Sequence, residues 1–313
     1  MSKYLHEPLN FAGLRTIPIQ ERGGKVTTAH FAQPHQKGAS LIDGLPHLLA
    51  ADSLRAVMDA LKNARLRQRA ILWGLGGHVI KCGLAPVLLD LMRRKYVTGF
   101  VLNGAASIHD FEIAIAGCTS EDVEAVLPDG RFGSAEETGR EMNEALKTGD
   151  VGFGEAIGRR LDRIADPRFA ACSLQVEAYR ANVPVTVHVA VGTDTPHTHP
   201  AADGAAIGQA THRDFRLLCS LVKDIHDGGV YVNVGSAVVL PEVFLKAVSV
   251  VRNLGHPLTH FTTVNMDFLQ HYRPNANVVN RPHAGSGGKG YAITGHHEIM
   301  IPLLAAALIE SEA

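Results

Sequence analysis

The 313-residue chain carries 17 histidines. Several fall where the apolar pattern predicts loops after strands: His197 and His199 in an HxH spacing, His283, and the pair His296–His297. Imidazole nitrogens are metal ligands, and Asp194 or Asp203 adds a carboxylate. Such a set could hold a divalent ion that activates water, the chemistry of a metal-dependent hydrolase. Pro196 and Pro200 bracket the HxH, however, and there is neither an HExxH nor a paired carboxylate set. No metal ligand is therefore assigned. His188 lies inside the apolar run VTVHVAV and reads as a hydrogen-bonded core histidine. Cys82, Cys118, Cys172 and Cys219 are far apart with no CxxC, which indicates neither a disulfide framework nor a zinc knuckle.

The second chemical signal is a set of turns with almost no side chains. They are Gly74–Gly77, Gly104–Ala106, Gly192–Asp194, Gly235–Ala237 and Gly295, each following an apolar run. Missing side chains let a ligand approach backbone N–H groups. In parallel α/β sheets such turns share the carboxyl edge, where nucleotides bind.

The elements that position these turns follow from the pattern. Strands are predicted over 70–73, 100–102, 185–191, 230–234, 258–264 and 291–294, with helices between them. Alternation of this kind implies a three-layer α/β fold, a mostly parallel sheet of about six or more strands with helices on both faces. Residues 1–50, broken by Pro8, Pro18, Pro34 and Pro46, read as an irregular arm. Two helical patterns, 134–148 and 151–165, make residues 119–168 a helical insertion in one domain spanning 1–313. Lys289 falls in a glycine-rich loop expected over 265–290.

Composition excludes some classes. Hydrophobic residues make up 46%, and net charge is −1 with histidine neutral. No basic footprint points to nucleic acid. No signal-peptide core and no apolar run of about twenty residues is present, so a cytoplasmic protein off the membrane is expected.

The chain resembles the deoxyhypusine synthase family over roughly residues 70–118 and 170–308. The resemblance rests on GLGGHVIKCG, MRRKYV and NGAASIHD ending at Asp110, then on VPVTVHVAV followed by ADGAAIG, SGGK at Ser286–Lys289, and IPLLAAAL. It implies an NAD-binding parallel sheet, a homotetramer with active sites at subunit interfaces, and polyamine-type chemistry. A hydride passes from an amine carbon to NAD. The imine passes to a lysine and the aminoalkyl group to an acceptor amine, since oxidation makes the carbon electrophilic. Lys289 falls on the imine-forming lysine, with His283 six residues before it. Cofactor positions carried over are Gly77, His78, Asn103, Gly104, Ala105, Asp203, Gly235, Ala237 and His296. His109 and Gln209 fall on substrate positions.

The departures bear on the substrate. Gln209, His283, His109 and His296 stand where the family has acidic residues, and Gly287 replaces its tryptophan. Neutral groups in place of carboxylates remove charge-assisted bonds to a polycation. The expected substrate is a small-molecule amine other than spermidine. A metal-dependent hydrolase and a non-catalytic NAD-binding protein are the alternatives.

Overall fold

The protein is described from a computed structural model, which covers residues 3–34, 36 and 39–312. By their internal contacts these residues divide into two units, Met1–Leu48 and Leu49–Ala313. The first unit falls within residues 1–50; within it Met1, Ser2, His35, Lys37 and Gly38 lie outside the described residues. Among its described residues the regular structure is two single turns of 3-10 helix, Phe11–Gly13 and Thr28–His30. The Asn10 carboxamide caps the first, accepting the Ala12 N–H at 2.9 Å. Leu5, Leu9, Phe11 and Ile19 are exposed.

The second unit opens with helix α1 (Leu49–Leu66) and strand β1 (Ile71–Leu75). Then come α2 (Gly77–Lys81), α3 (Ala85–Arg93), β2 (Gly99–Asn103) and α4 (Gly104–Ala116). The helical segment predicted over 119–168 holds α5 (Val123–Val126), α6 (Glu136–Leu146) and α7 (Phe153–Ile164). After it come α8 (Leu174–Arg180), β3 (Val185–His188), α9 (Gly204–Lys223), β4 (Val230–Val234) and α10 (Val239–Asn253). The chain ends with β5 (Thr262–Asp267), the short turn α11 (Tyr272–Pro274), β6 (Lys289–Thr294) and α12 (His297–Glu310).

Among the described residues the six strands are all parallel, in the order β3-β2-β1-β4-β5-β6. This is the doubly wound order, in which connections run outward in both directions from the β1/β4 boundary. Strands β1 and β4 are buried at every residue, as a sheet covered on both faces requires. On one face Leu72, Val101 and Tyr231 pack against Leu218, Val222, Leu240 and Phe244 of α9 and α10. The Tyr231 and Phe244 rings stack at 3.8 Å. His188 is buried in β3 and bonded to Thr186 Oγ1 at 3.0 Å, the core histidine expected from the sequence.

Two buried aspartates tie helices together, and one of them also bonds the sheet. Asp110 of α4 accepts the Ser173 hydroxyl and the N–H groups of Leu174 and Gln175 at 2.6, 2.7 and 2.9 Å, capping α8. Asp214 of α9 accepts the N–H groups of Gly154 and Val187 at 2.8 and 2.7 Å, joining α7, α9 and β3. Burial pushes the Asp214 carboxyl up to about 7, against those two hydrogen bonds.

That shift sets a stability prediction. Between the ordinary aspartate range near ~4 and about 7, the folded state holds a proton that the unfolded chain has released. The Asp214 contribution is therefore complete at low pH and is lost as pH rises through about 7. Asp214→Asn, which keeps an acceptor but cannot titrate, is expected to flatten that part of the melting-temperature profile. Asp214→Ala strands two buried N–H groups and is expected to cost on the order of 2–4 kcal/mol in denaturant melts.

Candidate functional site

Because the sheet is wholly parallel, the ends of all six strands face one edge. The turns after β1 and β4 meet there most closely. A Cβ on Gly76 would stand 2.1 Å from the Gly235 carbonyl oxygen, so only glycine fits. Gly76 N–H donates to Val234 O at 2.9 Å, Gly235 N–H to Met266 O at 3.2 Å, and Gly295 N–H to Asp267 O at 3.2 Å. Each turn is thus pinned to the end of a neighbouring strand. Gly235 takes a positive φ of 66° to make its bend.

Beside this junction, Gly77 packs on the first turns of α4. A Cβ there would stand 2.9 Å from Ala105 Cβ and 3.1 Å from His109 Cδ2. Gly77, Ala105 and His109 are thus brought together, with His78 exposed next to them. His109 Nδ1 is 2.7 Å from Thr119 Oγ1, and the Thr119 hydroxyl donates to Glu112. Burial alone would raise the Glu112 carboxyl, but the hydrogen bonds involving His109 and Thr119 outweigh it and hold it below the usual range. An Nδ1–H donor toward Thr119 leaves His109 Nε2 as a proton acceptor.

The β6 end adds a second group. His296 stacks parallel to Phe268 with centroids 6.0 Å apart. His297 is 1% exposed, and burial, its largest influence, holds it below the usual histidine range. Neither of its ring nitrogens makes a hydrogen bond. Asn233, at the end of β4, donates to Ser236 O at 2.9 Å and Asn265 Oδ1 at 2.7 Å, but its own buried Oδ1 has no partner. Ala237 follows on the partly exposed turn after β4.

Other positions carried over from the resemblance serve the fold. Asn103 accepts the Ala106 N–H at 2.9 Å and caps α4. Asp203 accepts Ala205 N–H at 2.8 Å and caps α9. The missing side chain of Gly104 makes room for the Asp194 carboxylate, whose Oδ2 would stand 2.0 Å from an added Cβ. Asp194 and His197 line a cavity of about 10 Å³, roughly the room one water needs. Gln209 donates to Gly149 O at 3.5 Å, in the link between α6 and α7, away from the β1/β4 junction.

Lys289 and His283 lie elsewhere. Lys289 is the first residue of β6, paired in register with Thr262, the first of β5. Five residue steps separate it from Thr294, roughly 16 Å along the strand. Its ammonium rests over the Tyr291 ring, 4.9 Å from the centroid. His283 bonds to Thr263 Oγ1 at 2.7 Å near the same amino-terminal edge, and burial with nearby Arg252 pushes it down to about 4. Within one chain this pair does not reach the turns at the carboxyl edge. The loop histidines, whose convergence would have allowed a metal site, do not gather within one chain. His197 and His199 follow β3 and His296 and His297 follow β6, at opposite sides of the sheet, roughly 24 Å apart at five strand spacings.

The sequence reading missed Cys82, Glu298, Thr119 and Glu112. The i,i+4 spacing of His78 and Cys82 is a signal that could have found one pair; Thr119 and Glu298 reach their partners only through the fold. Two surface hollows, of about 560 and 500 Å³, open at the amino-terminal side, beside Pro184 and Val185 and beside Arg69 and Ala70. Among the described residues no helix is long and apolar enough to cross a membrane.

Solved structures share this architecture. A conserved candidate LOR/SDH protein from Methanococcus maripaludis S2 aligns over 90% of this chain and 74% of its own, with a TM-score of 0.54 at 13% identity. A candidate deoxyhypusine synthase from Entamoeba histolytica aligns over 88% and 94%, with a TM-score of 0.50 at 12% identity. ArgZ, an arginine dihydrolase from the ornithine–ammonia cycle in cyanobacteria, aligns over 85% of this chain, with a TM-score of 0.51 at 15% identity. The match takes in 34% of ArgZ, so this chain corresponds to a part of that protein. The chain has the fold of these proteins. No protein-family model and no curated protein matches the sequence.

The Gly76 contact gives a direct check. Gly76→Ala drives a methyl group against backbone, which cannot swing aside as a side chain would. It is expected to destabilise the protein by about 2 kcal/mol or more, read as a lowered denaturation midpoint with an unchanged m-value. Gly208→Ala, on the exposed side of α9 with open space around it, is the control and is expected not to lower the midpoint.

Proposed function

We propose that the chain is an NAD-dependent enzyme that oxidises a small amine of low positive charge, with the dinucleotide at the β1/β4 junction. The observation that carries this reading is the unpartnered Asn233 Oδ1, buried where the strand order reverses. It is an acceptor able to take a hydrogen bond from a carboxamide, set at the place where doubly wound sheets bind dinucleotides. Asn233, with the turns at Gly77 and Gly235–Ala237, would hold the cofactor. Bound there, the nicotinamide would accept hydride from the amine-bearing carbon.

The residues of this chain supply the proton chemistry. Glu112 acting through Thr119 orients His109, and His109 Nε2 takes the proton released by the substrate nitrogen. The amine thereby loses a hydride and a proton and becomes an imine. The carboxylates near the junction are mostly engaged. Glu112 accepts from Thr119 and Thr138, and Asp267 accepts the Phe268 N–H at 2.8 Å. A polycation such as spermidine would find few free anions, which favours a less charged amine. Transfer of the imine carbon to a lysine, as in deoxyhypusine synthases, requires Lys289 of a second chain. A homotetramer with interface sites fits that requirement.

Titration with NADH, followed by fluorescence, is expected to saturate for the wild-type protein. Ala237→Glu, which places an anion beside the turn, is expected to weaken binding about tenfold or more. No saturable binding to the wild type would remove the dinucleotide. Borohydride with NAD and candidate amines is expected to trap an adduct on Lys289. The yield should fall by about 10²-fold or more in His109→Gln and vanish in Lys289→Ala. Mixing those two variants should restore trapping if the lysine works across the interface. Equal trapping in wild type and Lys289→Ala would leave the lysine without a role.

A further inference from the structure

Three donor atoms of different kinds gather where α2 faces the start of α12. His78 Nε2 is 3.4 Å from Cys82 Sγ, and Cys82 Sγ is 3.8 Å from Glu298 Oε2. All three ligand atoms lie within 4.8 Å of one another, a grouping found at this place among the described residues. His78 and Cys82 are one helical turn apart, so their side chains share a face. Glu298 comes from the first turn of α12, more than two hundred residues away in sequence. Around a tetrahedral Zn2+, an imidazole nitrogen and a thiolate sulfur stand about 3.6 Å apart, from their usual bond lengths. The 3.4 Å between His78 Nε2 and Cys82 Sγ is close to that spacing.

The neighbouring group supplies an independent observation. The His297 ring lies 5.7 Å from the His78 ring and is 1% exposed. Asp267 Oδ1 stands 3.7 Å from its Nε2, beyond hydrogen-bond reach, and neither ring nitrogen is bonded. A buried imidazole without a partner beside a donor cluster is the kind of group that a metal-bound water satisfies.

We propose that His78, Cys82 and Glu298 bind a divalent ion of the Zn2+ class, leaving a fourth position open. The donor set of imidazole, thiolate and carboxylate favours Zn2+ or Co2+ over Mg2+ or Ca2+, which take oxygen ligands. On binding, Cys82 gives its thiol proton to solvent and the thiolate pair of electrons goes to the metal; no oxidant or reductant takes part. Three protein ligands and an open position is the arrangement of catalytic zinc sites. The site does not draw on His109; His78 adjoins the Gly77 turn that the proposed dinucleotide would use, so the ion is tested on the nucleotide-free protein.

Cobalt is the probe, because its thiolate bond is visible. Titration of the nucleotide-free protein with Co2+ is expected to show one ion per chain, a thiolate-to-cobalt charge-transfer band in the near ultraviolet and visible bands of tetrahedral intensity. Cys82→Ser should abolish the charge-transfer band. His78→Ala and Glu298→Gln should weaken binding by more than the roughly 10–100-fold that losing an outer-shell partner costs. A protein with Cys118, Cys172 and Cys219 all replaced by serine should keep the band. No charge-transfer band in the wild type, or the same band in Cys82→Ser, would overturn the site. Because no nucleotide is present, that failure is separate from a failure to bind NADH.

Discussion

Backbone meets backbone between Gly76 and Gly235, and the carboxyl edge is arranged around that contact. The turn after β1 can reach the turn after β4 only because Gly76 has no side chain at the point of approach. The contact comes where the strand order reverses, so the connections on either side diverge from it. It sets Gly77 against Ala105 and His109 of α4 on one side, and brings His297 against Gly235 on the other. His109 and His297, 188 positions apart in the numbering, come to flank one junction.

The parallel sheet and its alternation with helices could be read in the sequence because burial on both faces leaves a direct trace, near-continuous apolar runs. VYVNV and ILWGL carry it; TTVNMD does not. In β5, Asn265 is buried in a polar chain running from Asn233 to Gln270, so the strand looks like loop until its partners are known. The predicted β5, 258–264, accordingly falls short of the end at Asp267. Lys289 illustrates the same limit. Its glycine neighbours suggest a loop, yet Gly288 and Gly290 are there because the backbone passes close to Phe261 and Val279. The lysine opens a strand, and strand length then separates it from the turns that the motif it resembles would have it serve.

Glycine turns were the strongest sequence signal for a ligand, and the structure gives most of them a different cause. Gly104 makes room for Asp194, Gly235 for the His297 ring, and Gly295 for Met300. A missing side chain reports close approach by some atom, and sequence alone does not say whether that atom belongs to a ligand or to the chain. The better signal is the inverse: a buried polar atom the chain does not satisfy. Those at Asn233 and His297 become visible only once every hydrogen bond is known.

Helix α4 connects these observations. Its cap, Asn103, starts it directly at the end of β2. One turn along, His109 leans toward Gly77 and Asp110 is fully buried against the start of α8. Adjacent helical residues point about 100° apart, so one side chain can serve the edge while its neighbour locks the helix in place. Glu112, three residues on from His109, joins it through Thr119, which lies beyond the helix end at Gly117. Position and orientation of the imidazole therefore come from different bonds. Loss of the Asp110 anchor would move the whole helix, whereas loss of Glu112 or Thr119 would free only the ring. A His109 that works as a proton acceptor needs both, because its nitrogen must face the substrate and its tautomer must leave that nitrogen bare.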